Sequence, residues 1–270
     1  MTDWNVVAVK TRKGMPGYDI LGNIAIVDFE GFRKAREKGI AKRILEEHRG
    51  AATVLAKAGP VSGTFRIRKL RYVLGRRSYT ADYRENNCRF IFDVRKTFFS
   101  NRLSFERARI AALSKRKEAV IVMFAGMGPY AIEIAKRNPK ADVVAIELNK
   151  DAYAAMCGNI MLNKAKNVTA VLGDVRQVAQ RYHNFADRVV MPLPKDSIEF
   201  LSDAVNCCKK RATVHVYMIA DRSDSGDEAI AVLRDHARAH RYNATPSNWR
   251  IVRNYSPKEV EVVVDLRVSK

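Results

Sequence analysis

The run VIVMFAGMGPYAIEIAK, from Val120 to Lys136, carries a stretch of apolar residues into two glycines and then resumes at helical spacing. Gly126, Gly128 and Ala131 match the GxGxxG/A pattern of a strand-to-helix turn whose backbone must lie close to a nucleotide. Phe124 opens that turn, and Glu147 follows it at the end of a second apolar run, VVAIE. A carboxylate there can accept hydrogen bonds from both hydroxyls of a ribose, which suits NAD and S-adenosylmethionine equally. Two further features separate them. The run VLGD ends on Asp174, able to accept a hydrogen bond from an adenine amino group. The run DRVVM passes directly into PLPKDS, whose Pro192 and Pro194 form a stiff wall where a methyl acceptor would enter beside a sulfonium. A dehydrogenase has no use for that wall. The set favours S-adenosylmethionine, with a ligand-free relic of the fold as the bland alternative.

The elements that must hold these residues follow from periodicity. From Ala119 the chain alternates strand and helix, with strands expected at 119–124, 142–147, 168–172, 186–191 and 212–219. Such alternation predicts a Rossmann-like, mostly parallel, doubly wound α/β sheet, with WRIVRNYS and EVEVVVDLRV closing it as an antiparallel hairpin. SFERARIAALSK (104–115) reads as a helix entered through Ser104, with Glu106 in its first turn. Before it lies a smaller α/β unit. Residues 17–28 read as strand around a Gly22-Asn23 turn, 31–48 as a helix, and 52–57, 65–75 and 88–94 as strands. Turns are expected at Gly59-Pro60 and at Glu85-Asn86-Asn87, and the domains at 1–94 and 95–270.

The formal charge of +20, from 49 Lys and Arg against 29 acids, is the footprint of a polyanion binder. A heat-adapted surface would raise Glu alongside Lys, whereas this excess has one sign. RIRKLRYVLGRR places six basic residues around Tyr72 and suits a phosphate track, with a solvated strand face as the alternative. No run approaches the roughly 20 apolar residues of a membrane span, and the N-terminus has no signal-peptide pattern. Cys88, Cys157, Cys207 and Cys208 include no CxxC pair, which predicts a reduced, cytoplasmic protein without a structural metal. His236 and His240 stand four apart, a zinc spacing without a third ligand nearby, and read as a solvated helix face.

In FRIRKL, ENNCRFIFDV, TFFSNRLSFERARI, MFAGMGPY, AIELN, NIMLNK, GDVR, DRVVMPLPK and YSPKEVEVVVDL the chain resembles the Rossmann-type tRNA guanosine-37 N1-methyltransferases of archaea and eukaryotes. The resemblance runs in order from about residue 17 onward. It implies S-adenosylmethionine as cofactor, Glu106 as general base and Arg66 as the guanidinium that stabilises charge on guanine O6. It further implies cofactor contacts at Arg107, Phe124, Gly126, Gly128, Glu147, Leu148, Asp174, Val175 and Pro192. Arg68, Phe98, Arg102 and Pro194 are the matching candidates for tRNA contact. The implied partner is the tRNA anticodon stem-loop, bound by a monomer with no membrane association and without the extra N-terminal module of many relatives.

The chain departs from the family pattern at Pro192 (usually Asn), Phe98 (Tyr), Asn101 (Pro) and Val122 (often Asp). Pro192 with Phe98 resembles the archaeal branch tied to wyosine synthesis, whose members also methylate C7 of the tricyclic intermediate. Aminocarboxypropyl transfer from the same cofactor and non-catalytic tRNA binding are the competing readings. Each sharp role has a bland counterpart. Glu106 could only complement its helix N-terminus, Arg66 and Arg68 could keep a strand edge soluble, and Phe98 and Phe99 could be ordinary core.

Overall fold

The computed structural model describes residues 14–223 and 226–270, so the signal-peptide reading at residues 1–13 lies outside it. Two compact units divide the chain, Met1–Arg102 and Leu103–Lys270.

In the first unit, β1 (Tyr18–Leu21) and β2 (Ile24–Val27) form a hairpin, and α1 (Lys34–Glu47) leads to β3 (Thr53–Ser62) and β4 (Ile67–Gly75). The sheet order is β1-β2-β3-β4, with β2 and β3 parallel because α1 crosses between them. Ile40, Ala41 and Ile44 of α1 pack on Ala25, Val27, Val54 and Ala56. The Gly59-Pro60 turn does not form. Both residues lie within β3, where the register slips between Lys57 and Val61, and the chain reverses at Gly63–Arg66 instead. A proline at a bulge leaves no ladder bond unmade.

A separate hairpin, β5 (Thr80–Glu85) and β6 (Cys88–Asp93), turns at Asn86 and Asn87, both at positive φ (45° and 60°). Two such residues twist with the strands, as a type I′ turn requires. The segment 95–102 belongs with this unit. Phe99 packs on Tyr83 and Phe92, Asn101 donates to the Ile20 carbonyl (3.1 Å), and Arg102 pairs with Asp19 (3.0 Å).

The second unit begins with α2 (Ser104–Leu113), whose N-cap is Leu103, so Ser104 is the first helical residue rather than the cap. Then follow β7 (Ala119–Val122), α3 (Pro129–Arg137), β8 (Asp142–Glu147), α4 (Lys150–Leu162), β9 (Val168–Leu172) and the short α5 (Val175–Val178). β10 (Ala186–Met191), α6 (Leu201–Cys207), β11 (Cys208–Asp221), α7 (Asp227–Ala239), β12 (Asn243–Asn254) and β13 (Glu259–Ser269) complete it. The sheet order is β12-β13-β11-β10-β7-β8-β9, with the five strands from β9 to β11 parallel and β13 and β12 antiparallel. All four residues of β7 are buried, as expected for a strand covered on both faces. The order reverses beside β7, so the crevice for a ligand lies at the carboxyl ends of β7, β8 and β10.

Cys207 ends α6 and Cys208 starts β11, so the pair does not share a helix. Burial pushes both thiols up to about 12, which makes them inert packing groups. Among the described residues no helix is long and apolar enough to cross a membrane.

The first unit hangs on one glycine. Gly22 has φ +57°, and a Cβ there would stand 1.8 Å from the Asp82 carbonyl oxygen. Gly63 has φ +71° with nothing within 4 Å. Gly63→Ala should therefore cost about 1–2 kcal/mol of backbone strain, and Gly22→Ala clearly more. Equal urea midpoints for the two variants would show that the close approach to Asp82 is absent.

Candidate active site

The glycine turn and the acid at the end of β8 are tied together. Glu147, 9% exposed, accepts hydrogen bonds from the Gly126 N–H (2.6 Å) and the Asn149 N–H (2.7 Å). Asn149 in turn caps α4, accepting from the Asp151 and Ala152 N–H groups. Burial raises the Glu147 carboxyl above its usual range, and the N–H bonds only partly offset it. Each carboxylate oxygen keeps a second lone pair, the capacity a ribose diol needs.

Two glycines shape the turn differently. Gly128 (φ +91°) caps α3 ahead of Pro129, and a Cβ on it would meet Met156 at 2.9 Å. Gly126 (φ +59°) faces open space within 4 Å, the cradle into which a ligand can press. Leu148 and Leu172 are 46% and 42% exposed at the ends of β8 and β9, an apolar rim fit for the faces of an adenine. Leu172 was not among the sequence candidates, although it stands in the VLGD run. Asp174 caps α5 through the Arg176 N–H (2.8 Å), and Val175 is buried in the core behind it. Phe124 (φ +56°) is half-buried edge-on to Phe200. These residues fit a nucleoside cofactor.

The proline turn is held from within. Ser197 donates to the Met191 and Leu193 carbonyls, and the Pro194 carbonyl accepts from the Ile219 N–H. Pro192 is half-buried, whereas Pro194 is buried and so supports the wall rather than touching tRNA, a correction to its expected role.

Beneath α2 runs a seam of polar groups where helix-on-sheet packing would ordinarily be apolar. Glu106 is 3% exposed, and its carboxylate accepts from Arg109 Nη2 (2.7 Å), Arg109 Nε (2.8 Å) and Tyr217 Oη (2.6 Å). Arg109 Nη1 stands 3.5 Å from Asp265, whose other oxygen lies 2.6 Å from His215 Nδ1. Arg188 bonds His215 Nε2, Glu118 (3.0 and 3.1 Å) and the Leu113 carbonyl (2.9 Å). The β11–β13 register sets His215 opposite Asp265, and Tyr217 lies two residues on, on the same face.

The protonation pattern follows. Burial drives His215 down, helped by the Arg188 and Arg109 charges, and its bond to Asp265 only partly resists. The ring is neutral at physiological pH, donating from Nδ1 and accepting at Nε2. Burial would raise Asp265, but His215 and Arg109 outweigh it and hold the carboxyl low. Burial, with Tyr130 and Glu106 adding to it, pushes the Tyr217 hydroxyl well up, so it remains a donor. Arg107, 2% exposed, points into the α2–α3 packing beside Glu133 (3.5 Å), so its side chain is no surface contact. Tyr217, Arg109, Asp265 and His215 were not found from sequence, because their partners lie up to 156 residues apart.

In the first unit, Arg66 precedes β4 in the turn at φ +51°, which corrects its expected place on the strand. Its guanidinium lies 4.9 Å from the ring centre of Phe98, which is 38% exposed, while half-buried Phe99 packs on Tyr83 and Phe92. Arg68 is half-buried on β4 and exposed Arg102 is bonded to Asp19. Of the basic run, Arg71 is bound to buried Glu37 by two bonds of 2.9 Å, so it is structural. His236 and His240 stack at 4.2 Å on α7, and His236 bonds Tyr242. No metal-holding cluster occurs among the described residues.

Two other concavities lie away from the crevice. One, of about 410 Å3, sits between α7 and β12; the other, of about 510 Å3, lies at the amino ends of β7, β10 and β11. The first is lined by no acid, and the acids of the second, Glu118 and Asp187, are bonded to Arg188 and Lys209.

The chain matches the TRM5/TYW2 methyltransferase domain over residues 81–245 and the TYW2 N-terminal domain over residues 10–78. It is 34% identical to the tRNA (guanine(37)-N(1))-methyltransferase Trm5b of Pyrococcus abyssi, over 97% of this chain and 78% of that one. The crystal structure of that protein superposes with a TM-score of 0.84, covering 94% of this chain and 75% of its own. The tRNA 4-demethylwyosine(37)-methyltransferase Taw21 of Saccharolobus solfataricus is 30% identical over 93% of both chains. The M. jannaschii TYW2 structure in complex with AdoMet, 27% identical, gives a TM-score of 0.73 over 94% of this chain and 99% of that one. With its seven-stranded Rossmann-like sheet and acid-lined crevice, the chain belongs to the TRM5/TYW2 methyltransferase family.

Proposed function

We propose that this protein methylates N1 of guanosine-37 in tRNA, using S-adenosylmethionine. The observation that carries the reading is the coincidence, at one sheet edge, of the Glu147–Gly126 cradle with a buried carboxylate, Glu106, at the start of α2. When bound, S-adenosylmethionine supplies an electrophilic methyl carbon on a sulfonium. Glu147 receives the ribose, Leu148 and Leu172 flank the adenine, and Asp174 accepts from its amino group. Pro192 walls the entry.

Guanine N1 carries a proton at neutral pH and becomes a good nucleophile only as it leaves. Glu106 takes that proton. The charge left on O6 is met by Arg66, backed by Phe98. The Arg66 guanidinium, 4.9 Å from the centre of the exposed Phe98 ring, is a planar donor suited to that role. Arg68 and Arg102 add phosphate contacts on the anticodon stem-loop.

A second target has its own support. Pro192 replaces the asparagine usual in the family, and similarity to Taw21 spans 93% of both chains. C7 methylation of 4-demethylwyosine is therefore the second reaction proposed for the same crevice. The setting proposed is the cytoplasm, where the four free cysteines stay reduced, and the acting form is a monomer.

Incubation of a tRNA transcript with tritiated-methyl cofactor should label guanosine-37, and absence of label would sink the main reading. Glu106→Gln should bind cofactor normally yet lose roughly 10²–10⁴ of the rate in single turnover; a fully active variant removes Glu106 as the base. Glu147→Gln turns one acceptor into a donor aimed at a backbone N–H, so calorimetry should show cofactor affinity reduced about tenfold or more. Unchanged affinity would move the ribose elsewhere. If roughly 6 to 10 phosphates are contacted, tRNA affinity should fall by about 10³–10⁵ between 50 and 200 mM salt. A flat response would detach the +20 charge from RNA binding.

A further inference from the structure

Among the described residues, Glu106 and Asp265 have one guanidinium between them. From α2 and α3, Arg107 is matched by Glu133, and from β12 and β13, Arg253 is matched by Glu261. From β10, Arg188 is matched by Glu118. Tyr130 and Tyr217 stay protonated, and His215 is neutral. What remains is Arg109, facing two buried carboxylates: Glu106 at 2.7 Å and Asp265 at 3.5 Å. Two acids share one guanidinium.

That ratio bears on the chemistry. A carboxylate holding a guanidinium by two bonds is a poor proton acceptor, because the bonds favour its charged form. A second acid drawing on the same guanidinium weakens that hold. Asp265 is well suited to this, since His215 fixes one oxygen and leaves the other towards Arg109. Arg188 in turn fixes the ring of His215.

We propose that Asp265 and His215 are positioning residues for methyl transfer, sharing Arg109 with Glu106 so that Glu106 can take the proton from the target base. The proposal rests on the reading of Glu106 as base. When N1–H enters, Arg109 moves its bonds towards Asp265. The proton passes from N1 to a Glu106 oxygen, and the freed N1 electron pair would take the methyl carbon as its bond to sulfur breaks, that bond's electrons returning to sulfur to leave a neutral thioether. Arg109 and Asp265 remain charged, and Glu106 becomes neutral. Because His215 stays neutral, it orients Asp265 without adding a positive charge that would hold Asp265 away from Arg109.

The test follows Glu106 directly in the full-length protein without cofactor. Glutamate side-chain carboxyls are labelled with carbon-13 and titrated by NMR, with Glu106 assigned by difference from Glu106→Gln. Asp265→Asn gives Arg109 wholly to Glu106, so the Glu106 midpoint should move down by about one pH unit. The acidic limb of the single-turnover rate should follow it. His215→Gln keeps an acceptor for Arg188 but removes the bond that holds Asp265 beside Arg109, so it too should move the midpoint down, which decides the matter if Asp265→Asn does not fold. Midpoints unmoved in the variants that fold, with rates merely lowered, would overturn the proposal and reduce the seam to a structural role. Retained activity in Glu106→Gln would instead remove the base, whatever the midpoints do.

Discussion

One guanidinium between two buried acids is the constraint around which the catalytic unit is arranged. Taking Glu106, Arg109 and Asp265 out of water is expensive, and an apolar interface of equal volume would hold α2 to the sheet at least as well. The seam persists only because each member has its partners. Register supplies them: β11 and β13 pair so that His215 meets Asp265, and the alternation of a strand brings Tyr217 to the same face. The helix then lies along the seam, with Glu106 over Tyr217 at the carboxyl edge and the Leu113 carbonyl over Arg188 towards the amino edge. Helix and sheet are thus joined in a single orientation by bonds that apolar contacts could not specify.

The Glu147–Gly126 side of the crevice is built on a different principle. There each piece is local: a strand end, two or three residues of turn, and a helix start. Glu147 links two such pieces by bonding the N–H groups of Gly126 and Asn149, so one side chain fixes two loops. Local pieces leave local signals, which is why Gly126, Gly128, Glu147 and Asp174 are legible in the order of residues alone. The five parallel strands and the closing hairpin are legible for a related reason, since buried runs bounded by glycine, proline and polar turns have few alternative interpretations.

What could not be read has an equally physical cause. Nothing in the sequence near Glu106 announces Tyr217 or Asp265, because the contacts span 111 and more residues and depend on sheet order. The strand β5 (TADYRE) escapes because its two buried residues, Ala81 and Glu85, make no apolar alternation. Gly59-Pro60 has the composition of a turn, yet a bulge tolerates the same residues. Arg66 is expected on a strand that in fact begins one residue later, and its left-handed backbone has no signature in an arginine. Phe98 and Phe99 differ in surroundings: one ring is exposed against Arg66, and the other is half-buried against Tyr83 and Phe92.

Five cations cluster at the edge of the sheet opposite the Glu147–Gly126 turn. Lys115, Arg116, Lys117, Arg211 and Arg267 rim the concavity at the amino ends of the strands, and none forms an ion pair among the described residues. The acids beside them are already matched, Glu118 by Arg188 and Asp187 by Lys209. Exposed charges act over about a Debye length, roughly 8–10 Å in physiological salt, so this rim cannot set the protonation of a carboxylate at the far edge. Exposed charges of this kind act on the encounter with a polyanion rather than on the choice of a base. The choice of base falls to groups kept dry, where a bond to one donor more or less changes what a carboxylate can do. A strongly basic surface, +20 overall, thus coexists with a buried seam in which two acids share one guanidinium.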